Sequence, residues 1–124
     1  MRLLRGMFET ATHFEMRLPE LFCGFARKHG NTPVSYPVAC LPQAWAAGSC
    51  FMLLQACLGV EVDGWANEIR VQRPKLPLGV DQVAVRGLQV GERTVDLLFQ
   101  RSGARILAHA EGADATEVPL RILA

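Results

Sequence analysis

Charge of one sign is what this sequence most plainly lacks. Thirteen basic residues stand against twelve acidic ones, interleaved along 124 residues, for a net charge of +1. That balance leaves no electrostatic footprint for nucleic acid and no polybasic patch for a membrane surface. Several signatures are also missing. There is no Gly-x-Gly-x-x-Gly, no phosphate-binding Gly-Lys-Ser/Thr loop and no Gly-x-Ser-x-Gly elbow, which removes the sequence grounds for nucleotide binding or an α/β-hydrolase serine. Cysteine is sparse, and Cys23, Cys40, Cys50 and Cys57 form no Cys-x-x-Cys pair, so zinc ribbons and thioredoxin-like motifs are unsupported. His13-Phe14-Glu15 has the His-x-Glu spacing of zinc deaminases without their Pro-Cys-x-x-Cys partner. The expectation is therefore free, buried thiols in a reducing cytoplasm, with no metal and no cofactor. No secretory leader is expected, because Arg2, Arg5 and Glu9 interrupt any apolar run at the start.

A second absence is local. The thirty-one residues from Gly30 to Val60 carry no charged side chain, although 20% of the chain is charged. Charged residues normally mark the solvated face of each element, so this segment is predicted to be buried on most sides. Its apolar core, Gln43 to Val60, touches the lower length limit for a membrane span, about 18 residues. Gln43, Ser49 and Gln55 interrupt it, Pro42 begins it, and no Lys or Arg flanks it. A buried core helix is the expectation, with no membrane partner.

What is present is enough for one domain. Half of the residues are hydrophobic, which supports a core and excludes disorder. Leu3, Leu4, Met7, Phe8, Ala11 and Phe14 recur at three- and four-residue intervals and predict a helix from 2 to about 16. Pro19 is its expected stop. A long irregular connection, 17–41, follows, rich in Pro and Gly and holding Phe22, Phe25 and Tyr36. Such a length without structure is uncommon unless it has a function. Pro42 at a helix start and Gly59 at a left-handed cap bracket the second helix. It is apolar around its circumference and calls for neighbours on every side.

Beyond Asp63 the period changes to two. Glu68 to Gln72, Gln82 to Arg86, Thr94 to Phe99, Ala104 to Ala108 and Val118 to Leu123 read as strands separated by turn formers. Val83, Val85, Val95, Leu97, Phe99, Ile106 and Ala108 are expected on one buried face. The fold class is α+β: a helical part, 1–60, with its long loop 17–41, then an antiparallel β tail, 61–124.

Glu20, inside Leu18-Pro19-Glu20-Leu21-Phe22, is the main candidate for chemistry. A carboxylate on an irregular loop beside aromatic rings can deprotonate water if its surroundings keep it ionised. It can equally serve as a salt-bridge partner of Arg17 or Arg27, or contact a helix terminus. Tyr36 and Trp45 are open between sugar-stacking platforms and core fillers. Gln43 is open between a ligand hydroxyl and a helix cap. His29 and His109 have no nearby ligands in the sequence and read as structural.

Two stretches carry a resemblance. Arg17-Leu18-Pro19-Glu20-Leu21-Phe22-Cys23-Gly24-Phe25 and Tyr36-Pro37-Val38-Ala39-Cys40-Leu41-Pro42-Gln43-Ala44-Trp45 follow one another at a characteristic distance. Together they resemble the carboxyl-terminal end of the bacterial amylo-α-1,6-glucosidase (glycogen debranching enzyme) family. Arg86 to Gly91 and Val95-Asp96-Leu97 are similar to the β tail of such chains. The resemblance implies the last helices of an (α/α)₆ toroid, followed by a small β-sheet tail. It implies Glu20 as the general base of an inverting hydrolysis of α-1,6-linked glucan branches. It also implies Phe22, Tyr36, Gln43 and Trp45 near the sugar. The general acid of the family lies upstream of the residues present here, so the chain alone is expected to be inactive. The expected partners are an α-glucan or oligosaccharide and either a homo-oligomer or a companion chain completing the toroid. A non-catalytic carbohydrate-binding or oligomerisation module is the alternative.

Overall fold

A computed structural model describes residues 1–26, 28 and 31–123. Arg27 and His29 fall outside the described residues. Among these, two helices and six strands follow in chain order: α1 (Arg2–His13), α2 (Ala44–Leu58), β1 (Val60–Asp63), β2 (Glu68–Gln72), β3 (Gln82–Val90), β4 (Arg93–Ser102), β5 (Arg105–Glu111) and β6 (Leu120–Leu123). The class is α+β. The chain divides into two compact units, Arg2–Leu54 and Gln55–Ala124, with Met1 grouped with the second.

In the first unit, α1 is supported on its wet side by an Arg5–Glu9 pair one turn apart. Its inner side buries Thr10 and Ala11 and half-buries Leu4 and Met7, and Phe14, just beyond it, is half-buried too. Leu3 and Phe8, which the apolar stripe included, are exposed. The helix ends at His13, earlier than Pro19 suggested. The amide of Met16 reaches back to the carbonyl of Ala11 at 2.8 Å, and Glu15 and Met16 take left-handed backbone conformations, φ 52° and 62°. This wrap turns the chain so that Leu18 and Pro19 are buried.

The connection 17–41 is not structureless. Segments 20–23 and 34–40 run antiparallel as a tongue, tied by backbone bonds from Cys23 to Val34 (2.8 Å), Tyr36 to Leu21 (3.1 Å) and Glu20 to Cys40 (2.9 Å). Phe22 and Ser35 face each other as a β-bridge.

The second helix forms where its punctuation predicted, but its burial does not follow. Trp45 is 84% exposed, Phe51 75% and Met52 70%, and only Leu58 is buried along the whole of α2. One short helix and a narrow tongue have too little surface to sheath a helix that is apolar all round. The expectation of buried thiols fails with it: the four cysteines are free, Cys40 is exposed, and the other three are half-buried. No helix among the described residues is long and apolar enough to cross a membrane.

In the second unit, Gly59 sits left-handed at φ 64° just beyond α2 and turns the chain straight into β1. That four-residue strand was hidden in the sequence behind the apolar helix. β1 pairs antiparallel with β2, but β6 joins β2 in parallel, giving the order β1-β2-β6. The purely antiparallel tail is thus corrected. The reason is the long return through residues 112–119, where Ile69 donates its amide to the carbonyl of Pro119.

β3, β4 and β5 form an antiparallel meander, with a bulge between Val85 and Leu88. Gly87 takes φ 67° there and donates its amide to Asp96 at 2.8 Å, which satisfies the extra residue of the bulge. Along β4 the alternation is clean: Val95, Leu97 and Phe99 are buried. Their cross-strand neighbours Val85, Val83 and Ala108 are half-buried, as is Ile106, so the expected face is present.

Candidate functional site

The candidate site lies at the root of the tongue, within the first unit. Local sequence explains how it is built. Pro19 is buried and rigid, so the next residue leaves the core at a fixed angle. Glu20 is exposed at that exit. Its amide donates to the carbonyl of Cys40 at 2.9 Å, and the amide of Cys40 donates to Glu20 Oε2 at 3.3 Å. One carboxylate oxygen is therefore held by a backbone donor. No ion pair reaches Glu20 among the described residues, and Arg17 makes none with it. Arg27, the other suggested partner, lies outside the described residues.

The remaining candidates are distributed around this root. Tyr36 follows on the returning limb, its amide on the carbonyl of Leu21, with its side chain 48% exposed. Phe22 turns inward: its ring meets that of Phe14, the residue just after α1, edge-on, 5.7 Å between centroids. It therefore packs against the end of the helix. Gln43 donates its amide to the carbonyl of Leu18 at 3.0 Å, which brings the start of α2 against the tongue root. Its side-chain Oε1 accepts the Ala44 amide at 2.9 Å, so Gln43 caps α2 and satisfies one of its unpaired amides. Trp45 stands one residue further on, its ring in solvent. Backbone bonds thus gather Glu20, Tyr36 and Gln43, whereas Trp45 is carried beside them only by the helix.

Sequence reading missed one participant, Cys40, which acts through its main-chain amide. A main-chain donor leaves no trace in side-chain pattern, so no motif could have singled it out. It missed a groove as well. Between α1 and the outer part of the tongue is an open groove of about 560 Å³. Leu3, Met7 and Thr10 line one side, and Phe22, Phe25 and Val34 the other.

The clearest electrostatic cluster lies in the second unit. Arg70 contacts Glu61, Asp63 and Glu68, and Arg121 contacts Glu68. The Arg70 guanidinium, bonded to Glu68, holds that carboxyl below its ordinary range, with Arg121 adding to the effect. The amides of Ala66 and Trp65 and the charge of Arg70 do the same for Asp63. These groups neutralise one another across β1, β2 and β6, which is a structural role. Among the described residues no three His, Cys, Asp or Glu side chains gather as a metal site.

No family model, no curated protein and no solved structure matches this chain.

Proposed function

We propose that this chain is the carboxyl-terminal part of a glycogen-debranching-type glycoside hydrolase, with Glu20 as the general base. The reaction is the inverting hydrolysis of α-1,6-glucosidic branches in an α-glucan. One observation carries the reading: the Glu20 carboxylate is exposed, oriented by the Cys40 amide, and unpaired with any cation among the described residues. A base that must take a proton from water needs that combination of access and orientation. A salt-bridged carboxylate would be a poorer acceptor.

The exposed apolar side of α2, with Trp45, Phe51 and Met52, supports the toroid part of the proposal. In an (α/α)₆ ring each inner helix is covered by its neighbours, and an apolar helix with so little cover suits an element taken from such a ring. Inverting hydrolysis also needs a second carboxyl about 6.5–9.5 Å from the base, with water between. Within the first unit the other acids are poor substitutes: Glu9 is engaged with Arg5, and Glu15 lies on the left-handed turn after α1. The acid then comes from ring helices on another stretch of polypeptide. The free thiols fit a reducing cytoplasm.

The test is glucose release from a branched α-glucan. The 124-residue chain alone is expected to release none, and robust release would overturn the division of the acid–base pair. Supplying the missing ring helices in trans should yield hydrolysis that Glu20→Gln abolishes. If Glu20→Gln leaves that hydrolysis intact, the assignment of the base fails. A second reading, a non-catalytic carbohydrate-binding module, is favoured by the exposure of Tyr36 and Trp45. Calorimetric titration with maltooligosaccharide distinguishes it, since that reading demands heat from the isolated chain and the same heat from Glu20→Gln.

A further inference from the structure

The groove between α1 and the outer part of the tongue stands apart from Glu20, which does not line it. It belongs to the first unit alone, since every residue lining it falls between Arg2 and Val34. Its volume of about 560 Å³ is within the usual size of a small-molecule site, about 300–1,000 Å³. The walls are mostly apolar: Leu3 and Met7 on α1, and Phe22, Phe25 and Val34 on the tongue.

Arg2, Gly6 and Thr10 line the helix side and give the groove a direction. Positions four apart share one face of a helix, and at 1.5 Å per residue Arg2 and Thr10 are about 12 Å apart. Thr10 is only 7% exposed, yet its hydroxyl has no hydrogen-bond partner among the described residues. No wholly enclosed side-chain nitrogen or oxygen is unpaired among them, so this hydroxyl keeps an opening, onto the groove that Thr10 lines. At the other end, Arg2 is exposed and makes no ion pair among the described residues. It is the one charged residue lining the groove among them. The first turn of α1 holds no acidic residue, so the positive end of the helix adds to the charge of Arg2. Gly6 lies between the two. Glycine is unfavourable in a helix interior, and no neighbour demands it here, because an added Cβ would meet nothing within 4 Å. What it leaves is open space at the middle of the groove.

We propose that this groove binds an organic carboxylate with an unbranched apolar chain and a polar group at its far end, as in an ω-hydroxy acid. The carboxylate sits on the Arg2 guanidinium, whose fork of N–H groups matches two carboxylate oxygens. The chain lies over Gly6, between Leu3 and Met7 on one side and the rings of the tongue on the other. Its far hydroxyl meets that of Thr10, which can donate or accept. An apolar helix laid over the groove would instead cover Arg2 and Thr10 without pairing either, and both would be penalised. The proposal is independent of the role given to Glu20.

Calorimetric titration of the 124-residue chain with ω-hydroxyoctanoate and with octanoate tests it. Both are expected to bind, the hydroxy acid about fivefold more tightly, the usual worth of one neutral hydrogen bond. Thr10→Val should erase that preference, and Arg2→Gln should weaken both ligands about tenfold or more. Gly6→Leu fills the groove and should abolish binding of both. Its helix content by circular dichroism should not fall, since leucine favours the helix more than glycine does. The same variant separates the groove from uptake of alkyl chains by the exposed apolar side of α2. No heat from either ligand overturns the proposal, as does binding that Gly6→Leu leaves intact. Equal affinities for the two ligands, or a preference that survives in Thr10→Val, overturn the assignment of the polar end. Displacement by maltooligosaccharide overturns it too, by making the groove part of the glucan site.

Discussion

Arg121 Nε lies 2.6 Å from Glu68 Oε2, a charge-assisted bond spanning 53 residues of sequence. Glu68 is buried and receives a second such bond from Arg70 Nε at 2.7 Å on its other oxygen. The pairing draws β6 against β2 in parallel. Arg121→Met would leave the strand order to main-chain bonds alone. The expected outcome is a lower thermal midpoint and faster amide exchange in β6 than in the β3–β5 meander. Equal exchange in both would contradict this role for Arg121.

Acid should loosen the same sheet. Asp63 and Glu68 both titrate below their ordinary values of 3.8 and 4.5 in the folded chain. The unfolded state therefore binds more protons as pH falls through that range, and stability falls with pH. The thermal midpoint is expected to be flat above about pH 5 and to drop below about pH 4.5. Arg70→Met removes the largest favourable contributor to the Glu68 shift and should make the drop smaller, because the unfolded carboxyl that sets its upper edge is unchanged. A midpoint that rises on acidification would reverse the sign of the linkage.

Leu97 is fully buried in the middle of β4, paired with Val85 and Ala110. Leu97→Asp places an unpaired carboxylate there and should cost at least about 3 kcal/mol in chemical denaturation. Leu98→Asp, one position along and half-buried on the opposite face, should cost clearly less. Similar losses for the two would mean that the sheet does not distinguish its faces.

Gly59 has a steric reason to be glycine. At φ 64° an added Cβ would lie 1.9 Å from the carbonyl oxygen of Gln72, and Gln72 donates its amide to Gly59 at 2.9 Å. Gly59→Ala is expected to destabilise by about 2 kcal/mol or more, through both the left-handed backbone and the clash. Gly64→Ala, where a Cβ meets nothing within 4 Å, serves as the neutral comparison.

Glu20→Gln should leave the melting curve unchanged, since the carboxylate is exposed and the glutamine carbonyl can still accept the Cys40 amide. In an assembly that completes the ring, the same change should reduce branch hydrolysis by about 10²–10⁴-fold, the usual contribution of a general base. Differential scanning calorimetry beside glucose release separates the two effects.

How far the fold was legible depended on where its information resides. The alternation of Val95, Leu97 and Phe99 with polar or half-buried neighbours fixed β4, because one buried face imposes a period of two. Pro42 and Gly59 bracketed α2 for equally local reasons. β1 escaped, since its four residues follow the apolar helix after a single glycine. The parallel pairing of β2 with β6 was not readable either. It depends on two residues far apart in sequence, Glu68 and Arg121, neither of which announces its partner. At the candidate site, Glu20 stood out as an isolated acid, while the tongue that positions it is held by main-chain bonds to which sequence pattern is blind. Gln43 fitted two roles on paper, and its Oε1 accepts the Ala44 amide, which is the capping contact.

The parallel seam between β2 and β6 also constrains the order of assembly. A meander can zip up from its own turns, since each strand meets the next after a few residues. β2 must instead wait for a strand that emerges only after β3, β4 and β5, so the closing contact is among the most distant in the chain and carries the greatest loop-closure cost. During synthesis the β1–β2 hairpin therefore spends the whole elongation of the meander with one edge unpaired.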